Sequence, residues 1–155
     1  MRISLLATGC VVVGLLGCAR ERERKAPLAE AARACAAHAE LSCPRPILSV
    51  RNLRASQRYF RDALGFKLDW EYGEPPDFAS VSRADSVLFL CQGCQGAPGS
   101  WTMIFARDVD RLHAELVGRH AVIKMPPTNM PWRMREMQVA DPDGNVLRFG
   151  TGLED

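Results

Sequence analysis

From residue 46 onward, the apolar positions change rhythm twice, each time in the same order. Residues 47–50 read as a short strand. Residues 56–64 then place Tyr59, Phe60, Ala63 and Leu64 at helical spacing, with Gly65 where a left-handed helix end is expected. Residues 66–72, 78–82 and 86–91 follow as three further strands. The second round begins with a strand at 101–106. A helix over 108–119 comes next, with Val109, Leu112 and Leu116 on one face, and strands at 122–125, 134–140 and 145–149 complete it. In both rounds an Asn or Asp follows the first strand, at Asn52 and Asp108. A side-chain oxygen there accepts a bond from an orphan N–H of the next helix.

The two rounds are related by duplication. A shift of 56 superposes Leu48-Ser49-Val50-Arg51-Asn52-Leu53 on Ile104-Phe105-Ala106-Arg107-Asp108-Val109. A shift of 59 superposes Val87-Leu88-Phe89-Leu90 on Val146-Leu147-Arg148-Phe149. The expected fold is α+β: two tandem βαβββ modules, about 46–92 and 100–150, within a domain over 46–152. They are joined by a Gly-rich loop at 92–100, and their strands form a curved mixed sheet with an open cleft.

The first 45 residues follow other rules. Residues 3–16 are an apolar run after Arg2. As a helix it would span about 21 Å, shorter than a bilayer's hydrocarbon core. It reads as a secretory leader, residues 1–17. Its end, Leu15-Leu16-Gly17-Cys18, resembles the bacterial lipobox. That resemblance implies cleavage before Cys18, lipidation of Cys18 and attachment to the bacterial cell envelope, facing the periplasm. Ala19 in place of an acidic residue favours the outer membrane, with the inner membrane left open. Residues 18–45 then hold the lipidated Cys, a mixed-charge tether at 20–25 and an alanine-rich helix at 27–41.

Charge narrows the partners. Twenty basic and 18 acidic residues leave a formal net charge of +2, so no basic stripe argues for nucleic acid. Setting aside Cys10 and Cys18, four of the six cysteines remain. In an oxidising compartment Cys35, Cys43, Cys91 and Cys94 are expected as two disulfides, with three connectivities open. The Cys91-Gln92-Gly93-Cys94 pair also admits a redox or four-thiolate zinc reading. Its Gly-rich surroundings make it a loop rather than the helix start that a thioredoxin-type motif requires.

The domain resembles the vicinal oxygen chelate superfamily of glyoxalases, extradiol dioxygenases and bleomycin-resistance proteins. The resemblance rests on Val50-Arg51-Asn52-Leu53 with Tyr59-Phe60 and Leu64-Gly65-Phe66. It continues through Asp108-Val109-Asp110 with Leu112-His113-Ala114-Glu115-Leu116, and ends in Asp141-Pro142-Asp143-Gly144-Asn145 with Leu147-Arg148-Phe149-Gly150. In metal-dependent members four His or Glu ligands lie at the start of each first strand and on each fourth strand. Those positions correspond to Arg45, Phe89, Trp101 and Arg148, and none offers a usable lone pair. His38, His113 and His120 all lie off these strands. The resemblance therefore implies no metal and no cofactor, and disfavours metal-dependent glyoxalase or dioxygenase activity.

Residues 131–136, which include Trp132 and Glu136, are similar to the bleomycin-resistance branch. That likeness implies binding and sequestration of a small molecule by a homodimer. Strand alternation puts Trp101, Met103 and Phe105 on one face, as it does Val87, Phe89 and Cys91. The expected ligand-binding residues are Trp101, Phe89, Met103, Arg45, Arg148 and Trp132, suited to a flat, polar or partly anionic ligand. An envelope location does not suit bleomycin itself, whose target is intracellular DNA. A metal-free enzyme using Glu136 as general base with Arg45 or Arg148 is the alternative. A second alternative is an envelope interaction module with a filled pocket.

Overall fold

The computed structural model describes residues 43–153. The expected leader, Cys18, the tether, the alanine-rich helix and Cys35 all lie outside them. The chain divides into two compact units, Met1–Cys43 and Pro44–Asp155, and every element below belongs to the second. Among the described residues no helix is long and apolar enough to cross a membrane.

The order is β1 (Ile47–Val50), α1 (Leu53–Asp62), β2 (Lys67–Gly73), β3 (Pro76–Arg83) and β4 (Ser86–Gln92). Then come β5 (Trp101–Phe105), α2 (Val109–Gly118), β6 (Val122–Met130), β7 (Met134–Ala140) and β8 (Val146–Gly152). Each module forms its own open four-stranded mixed sheet, ordered β1-β4-β3-β2 and β5-β8-β7-β6. Both expected βαβββ units are present, and their registers repeat. Ile47 pairs in parallel with Phe89, and Met103 pairs in parallel with Arg148. These pairs are related by the shifts of 56 and 59 found in the sequence.

Local chemistry sets the element ends. Asn52 Oδ1 accepts from Ala55 N–H, and Asp108 Oδ1 accepts from Arg111 N–H, so both expected caps form. The Gln92 side chain adds a second acceptor, for Leu53 N–H. With two donors satisfied, α1 starts at Leu53, ahead of the first residue its apolar spacing suggests. Gly65, at φ +70°, turns the chain out of this helix, and Phe66 N–H returns to the Phe60 carbonyl. Strand β6 is longer than its sequence suggests because it runs through Pro126 and Pro127. It is an edge strand whose register shifts between Met125 and Thr128, so the missing donors cost little pairing.

One apolar core serves both modules. Leu48, Leu53 and Phe60 from the first join Leu116, Met137 and Leu147 from the second. Polar bridges pin the modules at its rim. The Asn145 side chain, fully buried, donates to the Ser49 carbonyl of β1 (3.0 Å) and to Asp141 (2.7 Å), and accepts from Ser100 N–H (3.1 Å). Asp143 accepts from Arg51 Nε (2.7 Å), Arg51 N–H (3.1 Å) and the Ser56 hydroxyl (3.0 Å). Tyr59, on α1, donates its hydroxyl to the Ala140 carbonyl (2.7 Å) and accepts from Val122 N–H (2.9 Å). Asp141-Pro142-Asp143-Gly144 is thus a turn, as its composition indicates, and also the clamp between the modules.

Burial alone would raise the pKa of Asp143, but the bonds from Arg51 and Ser56 outweigh it and hold the pKa below the usual aspartate value. A carboxylate depressed in the folded state stabilises the fold above its unfolded pKa. That contribution is lost as pH falls through the folded pKa. Asp143→Ala is expected to destabilise the domain by about 1–3 kcal/mol at neutral pH, because the Ser56 and Arg51 donors lose their acceptor. In urea melts, the gap from wild type should close as pH drops below about 4. A pH-independent gap would show that the Asp143 charge is not what holds the clamp.

Candidate ligand-binding faces of the two sheets

Alternation on β5 turns Thr102 and Ile104 toward the core and leaves Trp101, Met103 and Phe105 outward, 59%, 38% and 78% exposed. Arg148 of β8 lies beside Met103 in register, with Gln138 of β7 on its other side. The next pair along the same face is Glu136 and Gly150. A Cβ at Gly150 would stand 2.5 Å from Met103 Cε, 2.9 Å from Met134 Cε and 3.2 Å from Glu136 Cγ. Glycine there gives those three side chains their room.

Glu136 is 1% exposed, and both of its oxygens are engaged. One accepts from the Trp132 indole N–H (2.8 Å), and the other from Arg148 Nε (2.6 Å) and Nη2 (2.5 Å). The Arg148 guanidinium in turn lies 5.2 Å from the Trp132 ring centroid. Trp132 is therefore held at its edge by the carboxylate and at its face by the cation. Glu136 does face the open side of the sheet, as strand position suggests. It is committed as the partner of Arg148 and Trp132 rather than standing free as a general base, and the charge of Arg148 is compensated.

The first module presents an aromatic group instead. Phe89 on β4, Phe78 on β3 and Trp70 on β2 have ring centroids 5.4–5.9 Å apart. A register shift between Leu68 and Trp70 places consecutive residues of β2 on this one face. Next to Trp70, Asp69 accepts from the Ser80 and Ser82 hydroxyls (3.1 and 2.8 Å) and pairs with Lys67 (3.4 Å). Burial would raise its pKa, but these donors outweigh burial and keep it lowered, so the face retains an anion. Strict alternation along β2 gives no sign that Trp70, Asp69 and Phe78 share this face. A bulge leaves no sequence signature in a run as polar as this one.

The four positions that correspond to family metal ligands are thus otherwise employed. Phe89 packs against both Trp70 and Phe78, Trp101 is exposed, Arg148 is bound to Glu136, and Arg45 lies exposed ahead of β1. Among the described residues no group of three or more His, Cys, Asp or Glu is placed to hold a metal ion. His113 lies on α2 and His120 follows it. This donor set does not fit a divalent metal. Cys91 and Cys94 form a disulfide with each other, which removes the four-thiolate zinc alternative. Cys43 is also disulfide-bonded.

These faces suit planar, partly polar molecules, with aromatic surface for stacking and fixed charges at the margins. Known proteins agree with the architecture. A family model for glyoxalase superfamily proteins matches residues 33–154. The bleomycin-binding protein of bleomycin-producing Streptomyces verticillus, solved with copper(II)-bleomycin, is 27% identical with a TM-score of 0.59, over 72% of this chain and 95% of that one. TnmS3, an antibiotic binding protein from Streptomyces sp. CB03234, is 25% identical with a TM-score of 0.58, over 71% and 96%. TioX from Micromonospora sp. ML1 shares the fold at 17% identity and a TM-score of 0.61, over 72% and 100%. No curated protein sequence matches the chain. The paired βαβββ modules, their repeated register and the family match over most of the length place this chain in the glyoxalase superfamily.

Proposed function

We propose that this chain is a metal-independent binding protein that sequesters a flat, partly polar small molecule rather than transforming it. The observation that carries the reading is the exposed row of Trp101, Met103 and Phe105 beside the Trp132–Arg148–Glu136 group. It is an apolar, preorganised surface at the place where metal-dependent relatives keep their metal. Locking Trp132 and Arg148 through Glu136 before a ligand arrives lowers the entropy lost on binding. Two of the structural relatives, at 25% and 27% identity, bind an antibiotic and bleomycin respectively, and support the same class of role.

The open sheet faces leave large apolar side chains in water, including Tyr72 and Phe105. A second copy of the chain laid against them would complete a cleft from two modules, so the binding form in this proposal is a homodimer. The proposal also includes export and lipid anchoring through Cys18, which rest on the sequence alone. Its ligand is then a compound met in the bacterial cell envelope, and bleomycin serves as a probe rather than as the expected cargo. A metal-free enzyme built on Glu136 is the weaker reading, since this carboxylate is buried and its oxygens already accept from an indole and a guanidinium.

Titration with copper(II)-bleomycin and a panel of flat aromatic antibiotics, read by tryptophan fluorescence, is expected to give saturable, stoichiometric binding with the compound recovered unchanged. Trp101→Ala should weaken the strongest interaction roughly tenfold or more, about 1.4 kcal/mol, with little loss of stability. Conversion of a compound that Glu136→Gln abolishes would overturn sequestration in favour of catalysis. For the anchor, Cys18→Ala in a bacterial host is expected to move the protein from the membrane to the soluble fraction. Unchanged fractionation would contradict lipidation at Cys18.

A further inference from the structure

Cys91 and Cys94, three positions apart, close a small disulfide ring at the end of β4, and their sulfurs lie in opposite environments. Cys91 is fully buried, opposite Ser49 of β1 and Phe78 of β3. Cys94 is exposed, as are Gln92, Gly93 and residues 95–99 around it. A thiolate arriving from solvent therefore meets the Cys94 sulfur. The Gln95 backbone N–H donates to Cys91 Sγ, the atom that takes up negative charge if the bond is broken from the Cys94 side. A donor so placed stabilises the thiolate and improves the leaving group. The ring's structural value is small. Closing a short loop removes little entropy from the unfolded chain, and β4 is already paired with β1 on one side and β3 on the other.

The geometry points to a thiol-exchange site: Cys94 accepts low-molecular-weight thiols, and Cys91 is the sulfur released. In the first step a thiolate RS⁻ attacks Cys94 Sγ. An RS–S bond forms at Cys94, the Cys91–Cys94 bond breaks, and the electron pair leaves on Cys91 Sγ beside the Gln95 N–H. A second thiolate attacks the RS sulfur of the mixed disulfide, forming RSSR and releasing the Cys94 thiolate. Both cysteines then take protons from solvent. The protein gains two electrons and two thiols of the reductant are oxidised. This site does not depend on the ligand-binding proposal, but it adjoins that face. Cys91 is the next outward position on β4 after Phe89, and Gln92, inside the ring, caps α1 through Leu53.

The test uses the full-length oxidised protein with reduced glutathione as the probe. Native samples are trapped with N-ethylmaleimide and mapped by mass spectrometry. The expected product carries glutathione on Cys94 and maleimide on Cys91, formed at a rate within roughly tenfold of that for the urea-unfolded chain. Two variants read the asymmetry directly with glutathione disulfide. Cys91→Ser, which keeps the exposed thiol, should take up one glutathione, and Cys94→Ser, which keeps the buried one, should react at least roughly tenfold more slowly. Should either variant fail to fold, the adduct position in the wild type decides alone. Glutathione found mainly on Cys91, or a disulfide that survives in the native protein under conditions that open it in the unfolded chain, would overturn the assignment.

Discussion

The buried amide of Asn145 is the point at which two repeated modules become one domain. Its nitrogen reaches the Ser49 carbonyl on β1 and its oxygen holds Ser100 N–H at the entrance to β5, so the first strands of the two modules are tied to one side chain. A buried amide of this kind must satisfy its donors and its acceptor together, or the desolvation cost is uncompensated. Asp141 meets the remaining demand, accepting from the Asn145 amide and from its backbone N–H. Burial raises the Asp141 pKa against the bonds from Asn145 and Asp143, and the nearby Asp143 charge adds to the rise. Asp143 completes the turn with Arg51 and Ser56. With helices and core gathered on one side of each sheet, the opposite faces are left to solvent, and those faces carry the candidate site.

The two faces differ at the positions that correspond to the family's metal ligands. In the second module a fixed ion pair occupies the sheet. Glu136 is buried, yet its charge is met by Nε and Nη2 of Arg148, both on one oxygen, and by the Trp132 indole on the other. In the first module the related strand position is Phe89, and an aromatic group fills the space while Asp69 supplies the charge at its side. One face therefore offers a cation stacked on an indole, and the other offers aromatic surface beside an anion. A planar molecule with both polar and apolar edges suits such a pair of surfaces. A reaction that needs an electrophilic metal does not.

Much of this was readable along the chain. The alternation of β5 and β7, the helix caps at Asn52 and Asp108, and the shifts of 56 and 59 that relate the two modules are all local or periodic signals. What escaped is what depends on distant partners or broken periodicity. Asp143 reads as a turn residue because its partner Arg51 lies 92 positions away. Asp69 and Trp70 share a face only because β2 bulges. The commitment of Glu136 needs Trp132 and Arg148 to converge in space, and the space itself depends on the missing Cβ of Gly150. In the linear chain, a carboxylate in an alternating strand looks like a free base.

We propose that this glyoxalase superfamily chain carries a preorganised binding surface where metal-dependent relatives hold their metal. Native mass spectrometry of the full-length protein, purified without chelators and paired with elemental analysis, decides between the two. A dimer with no stoichiometric transition metal is the predicted result, and any co-purified organic adduct would begin to name the ligand. One divalent metal bound per chain would contradict the account, because Arg45, Phe89, Trp101 and Arg148 offer no donor set to hold it.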